Sequence, residues 1–374
     1  MKPWLGAAEA EAVAELIASG PVVQGLLVAR FEEAFAARQQ ASYAVAVPNG
    51  TTAVHLALTV AGIGPSDDVV VPSLSSIETA NAVTCAGATP LFADVEVDTG
   101  NVSARTLAAA LTSNTRAVIV ADQCGMPVDL VPIRYLCDGL GITVIEDAGC
   151  GAGSTYRGGP VGAGAELAAW SFHHRNILTT GEGGMLTTTN EAWAVRALQE
   201  HAMSVSANHR PASLLAAPEE YGGAAFTNGM TDLQAAVGLV QLGRLDEAVS
   251  RRRAITDGYR RALAGVEGLR FSQDPLYGTS NFQSFWFEVL PDFPLGREEL
   301  LERLAQDSIS ARRGIMAAHR QPAYAGRDNG GADLSVTERL ADHTVILPVY
   351  HQLTLDEQSR VIRSILGAAG KSDD

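Results

Sequence analysis

The chain has 374 residues, of which 47% are apolar, which is enough for one large domain with a smaller one beside it. Its formal net charge of −15 argues against nucleic acid or an anionic membrane surface as a partner. We find no long apolar run, no secretion signal and no C-x-x-C pair among the four cysteines. We therefore expect a cytoplasmic protein with reduced thiols, no metal site and no membrane partner.

Short apolar runs alternate with helical stretches over the first two thirds of the chain, which predicts a mostly parallel sheet covered by helices. The seven predicted strands are residues 43–47, 69–71, 90–94, 117–120, 143–146, 168–172 and 185–188. The helices predicted between them include residues 51–60, 77–85, 133–138 and 191–201.

A long amphipathic helix is predicted from about Thr231 to Leu263, with a break or bend near Gly238 and Gly243. After it we predict, in order, a strand at 284–289, a helix at 297–306, a short strand near Ser310 and a last helix at 355–366. This pattern indicates a small α/β C-terminal domain. We therefore divide the chain into a large domain, residues 1–245, and a small domain, residues 246–374, joined by the long helix.

Several separated segments carry a resemblance to one known family. The stretch from Ser171 to Met185 reads SFHHRNILTTGEGGM, and further matches lie at residues 19–35, 315–319 and 347–350. In these segments the chain resembles the DegT/DnrJ/EryC1/StrS family of pyridoxal-phosphate (PLP) sugar aminotransferases and dehydratases. The resemblance implies an aspartate-aminotransferase-like α/β architecture (PLP fold type I). It also implies a homodimer with the active site at the subunit interface and a small-molecule substrate.

Asn176 stands where the family has the lysine that holds the cofactor as a Schiff base. An amide cannot form that bond, and the only lysines of the chain are Lys2 and Lys371. In transamination the lysine tethers the cofactor, is displaced by the amino donor and then moves the proton. We therefore expect no ordinary transamination, and we predict that Asn176 marks the catalytic position.

Other residues match the family's contacts to the cofactor. Gly50 and Thr51 open a helix after a strand, where the first amides and the helix dipole favour an anion. The resemblance makes Thr51 and Ser171 phosphate ligands. It makes Asp147 the carboxylate that keeps the ring nitrogen protonated. The family also takes an asparagine from the neighbouring subunit; Asn228 is the candidate here, one position out of register.

Three further positions depart from the family. Ser76 replaces an aromatic residue that stacks on the cofactor ring, Cys150 replaces a glutamine near it, and Glu78 replaces a small residue. The acid–base groups that we predict for the reaction are therefore Glu78, Cys150 and His174, since His173 matches a histidine common in the family. Segments that often line the substrate side contain Arg175, His319, Arg320 and Tyr324.

Two hypotheses follow, with a rescued aminotransferase as a third. In the first, the protein binds pyridoxamine phosphate (PMP) or PLP without a covalent bond and performs a dehydration, elimination or related reaction. The substrate would be a keto-sugar-like or amino-acid-derived molecule of specialised metabolism; the family's 3-dehydratases, which have histidine in place of the lysine, set the precedent. In the second, the fold has lost the cofactor and is a cofactor-independent enzyme or a non-catalytic partner.

Overall fold

The computed structural model describes residues 3–20, 22–200, 229–327, 329 and 331–371. Its strands are β1 (Tyr43–Val47), β2 (Asp68–Pro72), β3 (Thr89–Ala93), β4 (Thr115–Ala121), β5 (Thr143–Asp147), β6 (Thr155–Tyr156), β7 (Gly159–Pro160), β8 (Leu167–Ser171), β9 (Gly184–Thr188), β10 (Leu269–Phe271), β11 (Gly278–Thr279), β12 (Phe285–Val289), β13 (Arg312–Arg313) and β14 (Thr344–Leu347).

The α-helices are α1 (Ala7–Ser19), α2 (Leu26–Arg38), α3 (Gly50–Val60), α4 (Ile77–Cys85), α5 (Ala104–Ala108), α6 (Leu130–Asp138), α7 (Glu191–Glu200), α8 (Asp232–Gly243), α9 (Leu245–Leu263), α10 (Arg297–Gln306), α11 (Ser335–His343) and α12 (Leu355–Ala368). Within the described ranges, none of these helices is long and apolar enough to cross a membrane.

The large sheet has seven strands in the order β1-β9-β8-β5-β4-β2-β3. Its strands are parallel except β9, which runs antiparallel to both β1 and β8. This confirms the predicted mostly parallel sheet. Because β1 and β8 point the same way as β5, β4 and β2, the carboxyl ends of all five strands lie at one edge, where open α/β sheets bind ligands.

Central strands of this sheet are apolar on both faces. In β4, Ala117 and Ile119 pack into one hydrophobic cluster, whereas Val118 and Val120 pack into another on the opposite face. Side chains alternate along a strand, so β4 lies between two layers that both exclude water. This explains why its sequence is a continuous apolar run rather than an alternating one.

A second sheet, antiparallel and four-stranded, lies in the C-terminal part of the chain in the order β10-β12-β14-β13. It shares a core with α9, α10 and α12 that includes Tyr259, Phe285, Phe287 and Ile365. The strand predicted near Ser310 begins two residues later as β13. The sequence analysis did not predict β14, although its sequence Thr-Val-Ile-Leu is rich in strand-forming residues.

The predicted long helix is two helices, α8 and α9, that meet at Arg244, whose backbone leaves the helical region. The break is therefore next to Gly243, and α8 continues through Gly238. Gly238 has a packing role instead, because a Cβ at this position would lie 2.7 Å from the ring of Phe31. A Cβ at Gly243 would meet no atom within 4 Å. The domain boundary at residue 245 stays a proposal.

These two glycines give a matched pair of variants. Gly238→Ala should destabilise the protein by about 1–2 kcal/mol, because overpacking against Phe31 outweighs the gain in helix propensity. Gly243→Ala gains the propensity without the clash and should be neutral or stabilising by up to about 1 kcal/mol. Guanidinium unfolding of both variants measures the difference. Equal stabilities would contradict the packing role of Gly238.

Candidate active site

A cleft of about 560 Å³ opens at the edge where the strand ends meet, a volume typical of small-molecule sites. Seven of the predicted site residues line it: Gly50, Thr51, Glu78, Asp147, Cys150, Ser171 and Asn176. His174 is exposed and is not among the residues found to line the cleft, although its ring is 4.0 Å from that of His173. Asn228 lies outside the described residues, so its predicted contact stays a prediction.

One end of the cleft is the start of α3. The Asn49 side chain caps this helix by accepting from the Thr52 amide at 2.8 Å. A Cβ at Gly50 would lie 2.7 Å from Cβ of Ser171, so glycine is needed for the helix to approach the end of β8. The hydroxyl of Thr51 and the amides of Gly50 and Thr51 bond to no other residue that the structure describes. These free donors at a helix N-terminus suit an oxyanion.

Asp147 lies deeper in the cleft, at the end of β5. Its carboxylate accepts from the Thr79 hydroxyl at 2.9 Å and from the Gly149 amide at 3.2 Å. Burial raises the pKa of Asp147 above its ordinary value, and these two hydrogen bonds oppose that shift. A cationic or proton-donating group in the cleft would further favour the ionised carboxylate.

Asn176 lies on the connection between β8 and β9, and its amide is held on both sides. Its Nδ2 donates to the Ser171 carbonyl at 2.8 Å. Its Oδ1 accepts from Gln283 Nε2 at 3.4 Å, and the Cys150 thiol lies 4.0 Å from the same oxygen. The Asn176 side chain therefore connects the large sheet, through the Ser171 carbonyl, to the segment before β12, through Gln283.

The hydrogen bonds continue from Gln283 into the second sheet. Ser284 Oγ donates to Gln283 Oε1 at 2.8 Å and accepts from Arg312 Nη2 at 3.0 Å. Gln283 also donates to the Arg175 carbonyl at 3.0 Å. We call the side chains of Asn176, Gln283, Ser284 and Arg312 the amide chain. All four line the cleft.

The predicted acid–base groups differ in what they can do. Burial is the largest cause that raises the pKa of Cys150 far above its ordinary value, so this thiol stays protonated and can only donate. Glu78 is exposed at the cleft and accepts from Ser76 Oγ at 3.1 Å. His173 Nε2 is 3.5 Å from Glu182, while burial, more than the neighbouring His174, lowers its pKa. Glu78 and a neutral His173 are therefore the groups best placed to exchange protons.

A pair of buried carboxyls, Asp122 and Glu146, underlies this site, and each is only 1% exposed. Asp122 Oδ2 and Glu146 Oε2 bond to no donor in the described chain. Burial raises the pKa of Glu146 to about 7, and burial together with Glu146 raises the pKa of Asp122. The pair therefore holds a proton near neutral pH, which removes a negative charge from beneath Asp147.

The cleft residues that the sequence analysis missed include Thr79, Asp122, Gln283, Ser284 and Arg312. Asp122 had a signal, because it directly follows β4, just as Asp147 is the last residue of β5. His319, Arg320 and Tyr324, expected on the substrate side, are not among the described lining residues. His319 bonds to Ser73 at 2.5 Å, Arg320 pairs with Glu338 and Asp342, and Tyr324 is 3% exposed.

Comparison with known proteins gives one family. The model of the DegT/DnrJ/EryC1/StrS aminotransferase family matches residues 3–366. A GDP-perosamine synthase from Caulobacter vibrioides is 34% identical over 344 residues, 91% of this chain and 90% of that protein. The crystal structure of an aminotransferase, TlmJ from Streptoalloteichus hindustanus, is 31% identical, with a TM-score of 0.89 over 99% of this chain and 98% of that one. The structure of S. venezuelae DesV in complex with a ketimine intermediate is 29% identical, with a TM-score of 0.89 over 98% and 95% of the two chains.

The Asp122–Glu146 pair predicts a pH-dependent stability. Both pKa values are raised on folding, so the native state binds more protons than the unfolded chain between about pH 4 and pH 7, and stability falls as pH rises through that window. Asp122→Asn supplies an amide donor in place of the shared proton. It should stabilise the protein by roughly 1–3 kcal/mol at pH 8 and by much less at pH 5. Thermal unfolding from pH 5 to pH 8 measures this.

The control for that variant is Asp138→Asn, which neutralises an exposed carboxyl at the end of α6. It should leave the pH profile of stability unchanged. A profile for Asp122→Asn that superimposes on the wild type would show that the pair does not share a proton.

Proposed function

The chain belongs to the DegT/DnrJ/EryC1/StrS aminotransferase family, and on that basis we propose that it modifies a keto-sugar with an untethered B6 cofactor. The reaction that we propose is a dehydration, elimination or related step rather than a transamination. The observation that carries the proposal is the contrast within one cleft. Groups suited to the cofactor's phosphate and ring nitrogen line the cleft, whereas the amide of Asn176 occupies the position that the resemblance assigns to the lysine.

The residues of the cleft fit a phosphate-bearing pyridine. The free donors of Gly50 and Thr51 at the start of α3, together with Ser171, would hold the phosphate. Asp147, oriented by Thr79 and Gly149, would accept from a protonated ring nitrogen. When bound, the ring would supply an electron sink for bond cleavage next to the substrate's former carbonyl carbon.

Proton transfer then falls to the chain's own side chains. Neither Asn176 nor the protonated thiol of Cys150 can act as a base at neutral pH. We propose that Glu78 and His173, both in the cleft lining, take and return the proton. His174, predicted for this role, lies outside that lining and would support His173 from the solvent side. Glu182 would hold the His173 ring through Nε2.

The substrate class rests on the relatives. The Caulobacter protein is a GDP-perosamine synthase by name, so we infer a nucleotide-linked keto-sugar for this chain. A cytoplasmic homodimer, with the partner subunit's Asn228 at the phosphate, belongs to the same proposal. The second hypothesis, a cleft without B6, is favoured by Ser76, which caps α4 and offers no aromatic face to a ring.

Calorimetric titration with PMP, PLP and inorganic phosphate separates the two hypotheses. PMP should bind more tightly than phosphate because Asp147 recognises the ring nitrogen as well. Asp147→Asn should weaken PMP binding roughly tenfold and leave phosphate binding unchanged. Thr51→Ala should weaken both. Equal, weak binding of all three ligands that Asp147→Asn does not alter would favour a cleft without B6.

Restoring the lysine tests the position of Asn176 itself. In Asn176→Lys, PLP should form an imine that absorbs at about 410–430 nm and that borohydride fixes as a mass adduct. The wild type should lose PLP on dialysis and give no adduct. Asn176→Met, which also loses the amide but has no amine, is the control. A lysine variant that binds PLP yet yields no adduct would contradict the assignment of residue 176.

A further inference from the structure

The cleft has a second feature suited to an anion, and it comes from β13 of the small sheet rather than from the start of α3. Arg312 and Arg313 are consecutive residues of β13, paired with Ile346 and Val345 of β14. Because side chains alternate along a strand, the two guanidinium groups lie on opposite faces of the small sheet. Arg313 forms a fork with Glu298, at 2.7 Å and 3.0 Å. Arg312 lines the cleft instead.

Arg312 has no carboxylate partner among the described residues. Its only side-chain hydrogen bond there goes to Ser284 Oγ at 3.0 Å, which leaves most of its five N–H groups available. The positive charge of Arg312 acts on groups inside the cleft. Burial raises the pKa of Cys124 and Cys150, and the charge of Arg312 opposes that shift at both thiols. A guanidinium held by one neutral hydroxyl has the fork geometry that recognises carboxylates and phosphates.

A second arginine contributes to the lining of the cleft. Arg175 also lines the cleft, forms no ion pair with a described residue, and its carbonyl is bonded to Gln283, the neighbour of Ser284. The amide chain therefore fixes the backbone of Arg175 and the head of Arg312 relative to each other. The four acidic residues that line the cleft form no ion pair with either arginine in the described structure. Asp147 accepts from Thr79 and Gly149, Glu182 lies beside His173, Glu78 accepts from Ser76, and Asp122 accepts from the Val128 amide.

We propose that Arg312 and Ser284, with Arg175 beside them, form an oxyanion subsite that binds a carboxylate or phosphate group of the substrate. This subsite is separate from the donors at the start of α3, which the proposed function assigns to the cofactor's phosphate. It therefore rests on the proposed function for its place in the reaction, although the subsite itself can be tested without it. A substrate with an anionic group remote from its reacting carbon follows from this arrangement.

The test uses the full-length protein with PMP added to saturation, so that the α3 end is filled. Inorganic pyrophosphate and malonate, at constant ionic strength, are then titrated in separate calorimetric experiments. Arg312→Gln should raise the dissociation constant of the better probe roughly tenfold, the value of one charge-assisted hydrogen-bond pair. Preference for pyrophosphate indicates a phosphate group on the substrate, and preference for malonate a carboxylate.

Arg313→Gln is the matched control, because it removes an identical charge from the next residue on the outer face. It should bind both probes as the wild type does, and both variants should bind PMP normally. Unchanged binding of both probes by Arg312→Gln, or an equal loss in both variants, overturns the subsite. If the wild type fails to bind PMP, the proposed function falls, and the pyrophosphate titrations without PMP still decide whether Arg312 binds an anion.

Discussion

The architecture of the cleft depends on the side-chain amide of Asn176. Its N–H group satisfies a carbonyl at the end of β8, and its oxygen accepts from Gln283, so one residue joins the large sheet to the segment that leads into the small one. A lysine has only donors, and at this position it would place an ammonium group against the donor of Gln283. The amide chain and a tethering lysine are therefore alternatives. The side-chain oxygen of Asn176 accepts a hydrogen bond from Gln283 that a lysine could not accept.

Burial at the ends of β4 and β5 determines which of the carboxyl groups there are ionised. Three carboxyls, Asp122, Glu146 and Asp147, lie close together, and their burial raises the pKa of each. If Asp122, Glu146 and Asp147 were all ionised, their negative charges would repel one another strongly in this buried environment. A proton shared by Asp122 and Glu146 leaves Asp147 as the one group that a cation in the cleft can ionise. Of these three buried carboxyls, Asp147 is therefore the one that holds negative charge, and Glu78 and Glu182 line the cleft as further carboxylates.

The fold was predictable because its signals are local. The apolar runs of β4 and β5 and the Asn-Gly-Thr start of α3 mark a parallel sheet and its ligand edge before any contact is known. The amide chain was not predictable, because Gln283 and Arg312 are more than 100 residues from Asn176 and nothing in their local sequence marks them. The role of Gly238 was hidden for the same reason, since it depends on Phe31. Sequence patterns locate strand ends, whereas partners from distant segments require the structure.

The untethered binding that we propose limits which contacts could hold a cofactor. Ser76 offers no ring face, so about 1 kcal/mol of stacking would be absent, and in the proposed complex no covalent bond would compensate for it. What would remain is a set of charge-assisted hydrogen bonds, from the amide and hydroxyl donors of α3 to the phosphate and from the ring nitrogen to the carboxylate of Asp147. Those contacts fix position but permit exchange, which suits a cofactor that enters and leaves as a ligand. The cleft has a volume of about 560 Å³, and Arg312, bonded to Ser284 Oγ, lines it together with the residues that we propose for the cofactor.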